Sequence, residues 1–324
     1  MCSMKKIQAI EYPEIRAGQS IELLKALHIL TRDGKMNQDS RRKLKQVYHL
    51  YQFIEPLLQQ VQQDKGALTL VDHGAGKSYL GFILYDLFFK ALENNQESLR
   101  VVGVQGARSA ANETYLEDRR GSEQSATPQS DRAVDSSHIY GIETREELVT
   151  HSRELAQQLG FSGMSFLNLS VAESIVSDKL PANVDVVTAL HACNTATDDA
   201  IHFALKKQAQ FIVLVPCCQA EVAAVLRKNK GKQLAKDALI ELWRHPIHTR
   251  EFGSHLTNVL RCLQLEAHGY QVTVTELVGW EHSMKNELII AQYKNLPRQR
   301  AAERLQEVLN SVGLEELQHR FFTE

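Results

Sequence analysis

At 324 residues the chain is long enough to bury a large core and to form one sizeable domain with an appendage. Its 37 Lys and Arg nearly balance its 39 Asp and Glu, for a net charge of −2, so no global field argues for nucleic acid and any basic surface must be local. No stretch reaches the length of a membrane span, the first residues (MCSMKKIQAI) lack a signal-peptide apolar region, and the five cysteines (2, 193, 217, 218, 262) suit reduced thiols, so a cytoplasmic protein with no membrane partner is expected.

Residues 1–66 read as a helical N-terminal extension. Ser20 is placed to cap a helix carrying Ile21, Leu24, Leu27 and Ile29. Asp39 or Ser40 is placed to cap a second, with Leu44, Val47, Tyr51, Ile54, Leu58 and Val61 on one face and Pro56 kinking it. Arg41, Arg42, Lys43 and Lys45 crowd the start of that helix, either as a solvated face or as a basic patch towards a substrate.

The stretch Leu68–Asp86, LTLVDHGAGKSYLGFILYD, organises the rest of the chain. An apolar run ends on Asp72 and enters a glycine turn, Gly74-Ala75-Gly76; Leu80, Ile83, Leu84, Leu87 and Phe88 then recur at helical spacing. Strand, tight turn and helix open a nucleotide-type site, because glycines let backbone approach a ligand and the helix N-terminus offers unpaired N–H groups. A phosphate-binding P-loop needs a glycine where Val71 stands, and the dinucleotide fingerprint needs one where Tyr79 stands.

Leu99–Gln105 resembles a strand but runs into a polar segment without helical period, so about 94–137 reads as a largely mobile insertion. His138–Ile142 is the better second strand. It ends on Glu143, which could accept hydrogen bonds from both hydroxyls of a ribose or simply serve as an acid at a helix start. Thr144 and Glu147 form a capping-box pattern for a helix that runs to Gly160. Met164–Leu169 is a third strand leading to Ser170, and Val184–Leu190 a fourth, apolar enough for a buried parallel position. A helix through Ile201 and Leu205 comes next, with Asp198 and Asp199 serving its start behind a Thr197 cap.

Phe211–Val215 is the fifth strand, ending in Pro216-Cys217-Cys218-Gln219, after which basic residues gather at Arg227, Lys228, Lys230 and Lys232. His245 and His248 have metal-like spacing but lack carboxylates beside them and read as a loop. A long helix carries Phe252, Leu256, Val259, Leu260 and Leu263 and stops at Gly269. The last strands, Tyr270–Leu277 and Glu287–Tyr293, are joined by VGWEHSMKN, which permits antiparallel pairing and is too short for a parallel crossover. A helix from about Arg298 ends the chain. The expected fold is α/β: a Rossmann-like, seven-stranded, mostly parallel sheet with the last strand antiparallel. It occupies residues 67–295, between the extension and a C-terminal helix over 296–324.

DHGAGKSYLG, LHACNTATDDA and VPCCQ together resemble a branch of the class I S-adenosylmethionine (SAM) methyltransferases. Its signatures are a D-x-G-x-G-K turn, an L-H-x-C-x-x-A-T-D segment after the fourth strand and a Cys-Cys pair after the fifth. The branch is similar to the eukaryotic tRNA methyltransferases that modify a ribose 2′-hydroxyl, and includes methyltransferase-like proteins of unassigned substrate. The resemblance covers about 66–295 without the insertion. It implies SAM as cofactor, with Asp72, Gly74 and Gly76 in contact with it and Ser170 where the family usually places an adenine-contacting polar group; Glu143, on the ribose, and His191 complete the cofactor-binding candidates. It also implies His191, Cys193, Asp198, Cys217 and Cys218 as an acceptor-side or structural set. The chain departs from the tRNA enzymes at Gln219-Ala220, where they carry histidines, and in lacking an N-terminal cysteine/histidine zinc cluster.

Methyl transfer from a sulfonium is an in-line displacement for which positioning supplies much of the rate. His191 is the best-placed base, and Cys193, Asn194 and Lys285 complete the catalytic candidates. The cysteines read as packed thiols, as zinc ligands at spacings of no known finger, or as nucleophiles towards a base; no metal is assigned. Trp280 and His282 could stack on a base or pack within their hairpin. RNA (tRNA or rRNA) is the preferred acceptor. The alternatives are a protein side chain, a small molecule, or a SAM-binding scaffold without catalysis.

Overall fold

A computed structural model describes residues 14–93, 137–190, 195–216, 220–233, 241–242, 244–277 and 287–322. Its centre is β1 (Thr69–His73), which pairs in parallel with β2 (His138–Glu143) on one side and β4 (Val186–Leu190) on the other. β3 (Met164–Asn168) continues beyond β2 and β5 (Phe211–Val215) beyond β4, both parallel. β7 (Glu287–Tyr293) lies between β5 and β6 (Tyr270–Glu276) and is antiparallel to each. The seven-stranded order β3-β2-β1-β4-β5-β7-β6 is that of the mostly parallel, Rossmann-like sheet expected. Successive strands run outward from β1 in one direction and then in the other, so the topological switch point lies between β1 and β4.

The central strands are buried on both faces, as parallel strands under helices must be. Leu70, Val186 and Val213 point into one core cluster, Val71, Val187 and Ile212 into another. The first core is covered by α1 (Ile21–Ala26), α2 (Gln38–Lys65), α3 (Tyr79–Leu84) and α4 (Glu146–Leu159). The second is covered by α6 (Ala196–Lys206) and one end of α8 (Pro246–Ala267), while α5 (Val171–Val176) follows β3. A third cluster joins α7 (Glu221–Gln233), α8, α9 (Gln299–Ser311) and the terminal α10 (Gln318–Phe321).

The extension is tied down by specific contacts. Ser20 caps α1, its hydroxyl accepting from the Leu23 N–H at 3.1 Å. α3 continues into a π-helical turn, Tyr85–Phe89, and the buried Asp86 in that turn accepts from the Ser20 N–H at 2.7 Å. Arg16 stacks on the rings of Tyr51 and Tyr48, 4.6 and 5.1 Å from their centroids.

Several helix starts differ from expectation. Asn37, not Asp39 or Ser40, caps α2: its extended backbone lets the side chain accept from the Ser40 N–H at 2.8 Å. α2 runs unbroken through Pro56, held by the buried Tyr51, Ile54, Leu58 and Val61. α4 starts after Arg145 with no side-chain cap, and Thr144 directs both its N–H and its hydroxyl to Glu143 Oε1. α6 starts behind Thr195 rather than Thr197. α8 begins at Pro246, which suits a first helical position, so His248 lies in its first turn and not in a loop. The candidate strand at 99–105 lies outside the described residues.

Candidate active site

The carboxyl end of β1 carries a deeply buried acid. Asp72 accepts from the Thr188 hydroxyl of β4 at 2.9 Å through Oδ1 and from the Ser78 hydroxyl at 3.5 Å through Oδ2. Burial pushes its pKa up to about 6, against the pull of those two hydrogen bonds. Gly74 and Gly76 have φ of +68° and +57°, in the left-handed region that glycine enters without strain. Gly76 then donates its N–H to Glu143 Oε2 at 2.9 Å. Asp72 and Glu143 therefore flank the glycine turn from two adjacent strands.

Glu143 is heavily engaged. Oε1 accepts from the N–H groups of Thr144 and Arg145 at 3.0 and 3.1 Å. The Arg145 guanidinium spans both oxygens, Nε to Oε1 at 3.0 Å and Nη2 to Oε2 at 3.1 Å. Burial raises the carboxyl's pKa, but the guanidinium together with the N–H groups of Arg145 and Gly76 outweighs it and holds the group at about 2.

A cavity of about 430 Å³ opens over the turn. Leu190, Val215 and Leu277 line it with apolar surface at the ends of β4, β5 and β6. The extension supplies a wall, with Ile29 and, from α2, Gln46, Val47, Leu50 and Lys43. Lys77 and Arg145 complete its basic rim. The cluster at the start of α2 is thereby divided. Lys43 faces the cavity, Arg41 pairs with Glu14 at 2.9 Å, Arg42 lies 3.6 Å from Asp39, and Lys45 borders a separate depression.

Of the residues expected here, Asp72, Gly74 and Gly76 line the cavity and Glu143 lies behind Arg145. Ser170 does not line it. Its hydroxyl caps α5 and its N–H donates to Glu173 at 2.7 Å, a capping box beyond the outermost parallel strand. His191, Cys193, Asn194, Cys217, Cys218, Trp280, His282 and Lys285 lie outside the described residues. Asp198, from the acceptor-side or structural set, is structural: it is buried in an ion pair with Arg261 of α8.

Three participants and one neighbouring side chain were not anticipated. Thr188 and Ser78 orient Asp72, and Arg145 occupies Glu143. His73 is buried against Phe203, ring centroids 5.4 Å apart, with neither ring nitrogen hydrogen-bonded among the described residues. Burial lowers its pKa to about 4 despite the nearby charge of Glu143. The position of His73, inside DHGAG and next to the strand-end acid, was the available signal.

Residues 42–133 and 127–225, together more than half of the chain, match the model of a family described as a methyltransferase domain. The chain belongs to this methyltransferase family. Its curated relatives include the glutathione S-transferase C-terminal domain-containing protein of Bos taurus, 24% identical over 172 residues, 48% of this chain and 26% of that protein. The Xenopus laevis protein of the same name is 22% identical, over 48% and 27%. The methyltransferase chain thus spans about a quarter of the length of the curated relatives it matches. Similar solved structures include magnesium protoporphyrin IX methyltransferase from Synechocystis PCC 6803 with bound SAH, at 13% identity, 84% and 94% coverage and a TM-score of 0.40. An rRNA methylase from Streptococcus thermophilus matches at 10% identity, 71% and 88% coverage and a TM-score of 0.34. Among the described residues, no helix of the methyltransferase is long and apolar enough to cross a membrane.

Proposed function

We propose that this methyltransferase uses SAM and acts on RNA. The observation that carries the donor reading is the cavity at the switch point of the sheet, floored by the glycine turn and the strand-end acid Asp72. SAM, when bound, supplies a methyl group on a sulfonium for in-line attack by an acceptor nucleophile. The residues fit such a group. Asp72 is a buried carboxylate without an ion-pair partner among the described residues, and a cationic ligand beside it would restore its ionised form. The turn offers close backbone approach, Glu143 offers oxygens to a ribose where the Arg145 guanidinium gives them up, and Leu190, Val215 and Leu277 line the cavity with apolar surface.

The acceptor reading is supported by charge. SAM carries one more positive than negative group, and Lys43 and Lys77 face the same cavity. A lysine or arginine acceptor would meet like charge there, whereas a phosphate backbone would meet opposite charge. The resemblance to tRNA 2′-O-methyltransferases points the same way. In this reading His191 takes the acceptor's proton, and Cys193, Asn194 and Lys285 border the acceptor.

The test is transfer of radiolabelled methyl from SAM into RNA and protein fractions, with Asp72→Ala and His191→Ala as controls. Label in RNA, lost in both variants, supports the proposal. Label confined to protein moves the acceptor to a side chain. SAM binding without label in either fraction leaves a scaffold.

A further inference from the structure

Arg145 has no part in the donor reading and stands in its way. Its guanidinium holds both oxygens of Glu143, while the N–H groups of Gly76, Thr144 and Arg145 itself and, at 3.4 Å, the Thr144 hydroxyl also donate to them. A carboxylate offers about four lone-pair sites, so six donors leave none for the two hydroxyls of a ribose. The guanidinium also overhangs the turn, with Nη2 3.8 Å from where a Cβ on Gly76 would stand. The three backbone donors are fixed by the chain. The Arg145 side chain is 60% exposed against 9% for Glu143, so it is the exchangeable partner.

We propose that Arg145 is a counter-ligand of Glu143, which the ribose hydroxyls of the donor or its product must replace on both oxygens. This rests on the cavity being the donor site. The exchange is two donors for two, so it costs the ligand most of what its hydroxyls would otherwise contribute. Arg145 thereby loosens donor and product alike, which eases release after transfer. An exposed ion pair is weakened by salt, so the competition fades as ionic strength rises.

The experiment is calorimetric binding of S-adenosylhomocysteine, and of its analogue lacking both ribose hydroxyls, to the wild-type chain, Arg145→Ala and Arg145→Lys across a range of NaCl. Arg145→Ala is expected to bind S-adenosylhomocysteine about three- to tenfold more tightly at low salt, with a smaller gain for the analogue. Arg145→Lys, which keeps the charge but loses the planar fork, falls between. Wild-type affinity for S-adenosylhomocysteine rises with salt, while that of Arg145→Ala stays flat. The turn survives in both variants because the three backbone donors remain on Glu143, and thermal melting checks this. Equal or weaker binding by Arg145→Ala, or an equal gain for the analogue, overturns the proposal. Failure of the wild-type chain to bind S-adenosylhomocysteine at any salt instead brings down the donor reading on which it rests.

Discussion

Arg261 and Asp198 form a two-pronged ion pair inside the protein: Nε meets Oδ1 at 2.7 Å and Nη2 meets Oδ2 at 2.8 Å, with the Arg261 side chain fully buried. Asn258 accepts from Arg261 Nη1 at 3.2 Å and donates to Glu287 at 2.8 Å, so one network joins α6, α8 and the start of β7. Removing one partner strands a buried charge, which costs about 3–5 kcal/mol. Asp198→Ala and Arg261→Ala are each expected to lose stability on that scale in denaturant unfolding. The double variant should lose less than the sum of the two.

Asp72 predicts a pH dependence whose sign differs for folding and for ligand. Its pKa, raised to about 6 by burial, means the folded chain holds the proton more tightly than the unfolded one. Its contribution to stability is therefore full below its ordinary value near 3.8 and is lost as pH rises through about 6. A cationic donor favours the ionised form, so donor affinity should climb through about pH 6 and then level off. Calorimetric titrations across that range would show it. Asp72→Asn should flatten the profile and weaken binding throughout.

These relationships divide by how local they are. The sheet was legible because β1, β4 and β5 are short apolar runs with polar ends, and because the link between β6 and β7 allows only a hairpin. Asp72 and the glycine turn were legible because their chemistry lies within a few residues. Helix caps were less so. Asn37, Asp39 and Ser40 all suit a cap by type, and only the backbone conformation at Asn37 decides among them. Arg261 was hidden because α8 is buried on more than its leucine face: Thr257, Asn258, Arg261 and Gln264 form a second, polar stripe at helical spacing. Arg145 was hidden for another reason. Whether Glu143 meets a diol or a guanidinium two residues away depends on a side-chain rotamer, which the residue pattern does not encode.

Gly81 should prove essential to the site more than to the fold. A Cβ there would stand 2.5 Å from Ser78 Oγ, well inside contact distance, and 3.7 Å from Asp72 Oδ2. Gly81→Ala forces the Ser78 hydroxyl away from the Asp72 carboxylate, which then keeps, among the described residues, only Thr188. In a helix, alanine is otherwise favoured over glycine by about 1 kcal/mol, which offsets part of the disturbance. Donor affinity should therefore fall several-fold while the thermal midpoint moves little. A large drop in melting temperature with unchanged binding would contradict this.

Lys43 and Arg42 are neighbours on α2 with different surroundings, and the RNA reading separates them. Lys43 lines the cavity, as does Lys77 across the turn, whereas Arg42 lies outside the cavity lining and 3.6 Å from Asp39. Removing a cation that neutralises one phosphate should lower the slope of log affinity against log salt by about one. Lys43→Ala and Lys77→Ala are each expected to weaken RNA binding and reduce that slope, and the double variant to do so further. Arg42→Ala should change neither by more than a small fraction. Filter binding of cellular tRNA across a salt series measures both quantities. Equal effects at Arg42 and Lys43 would mean that the whole start of α2 acts as a diffuse basic surface, with no phosphate seated at the cavity.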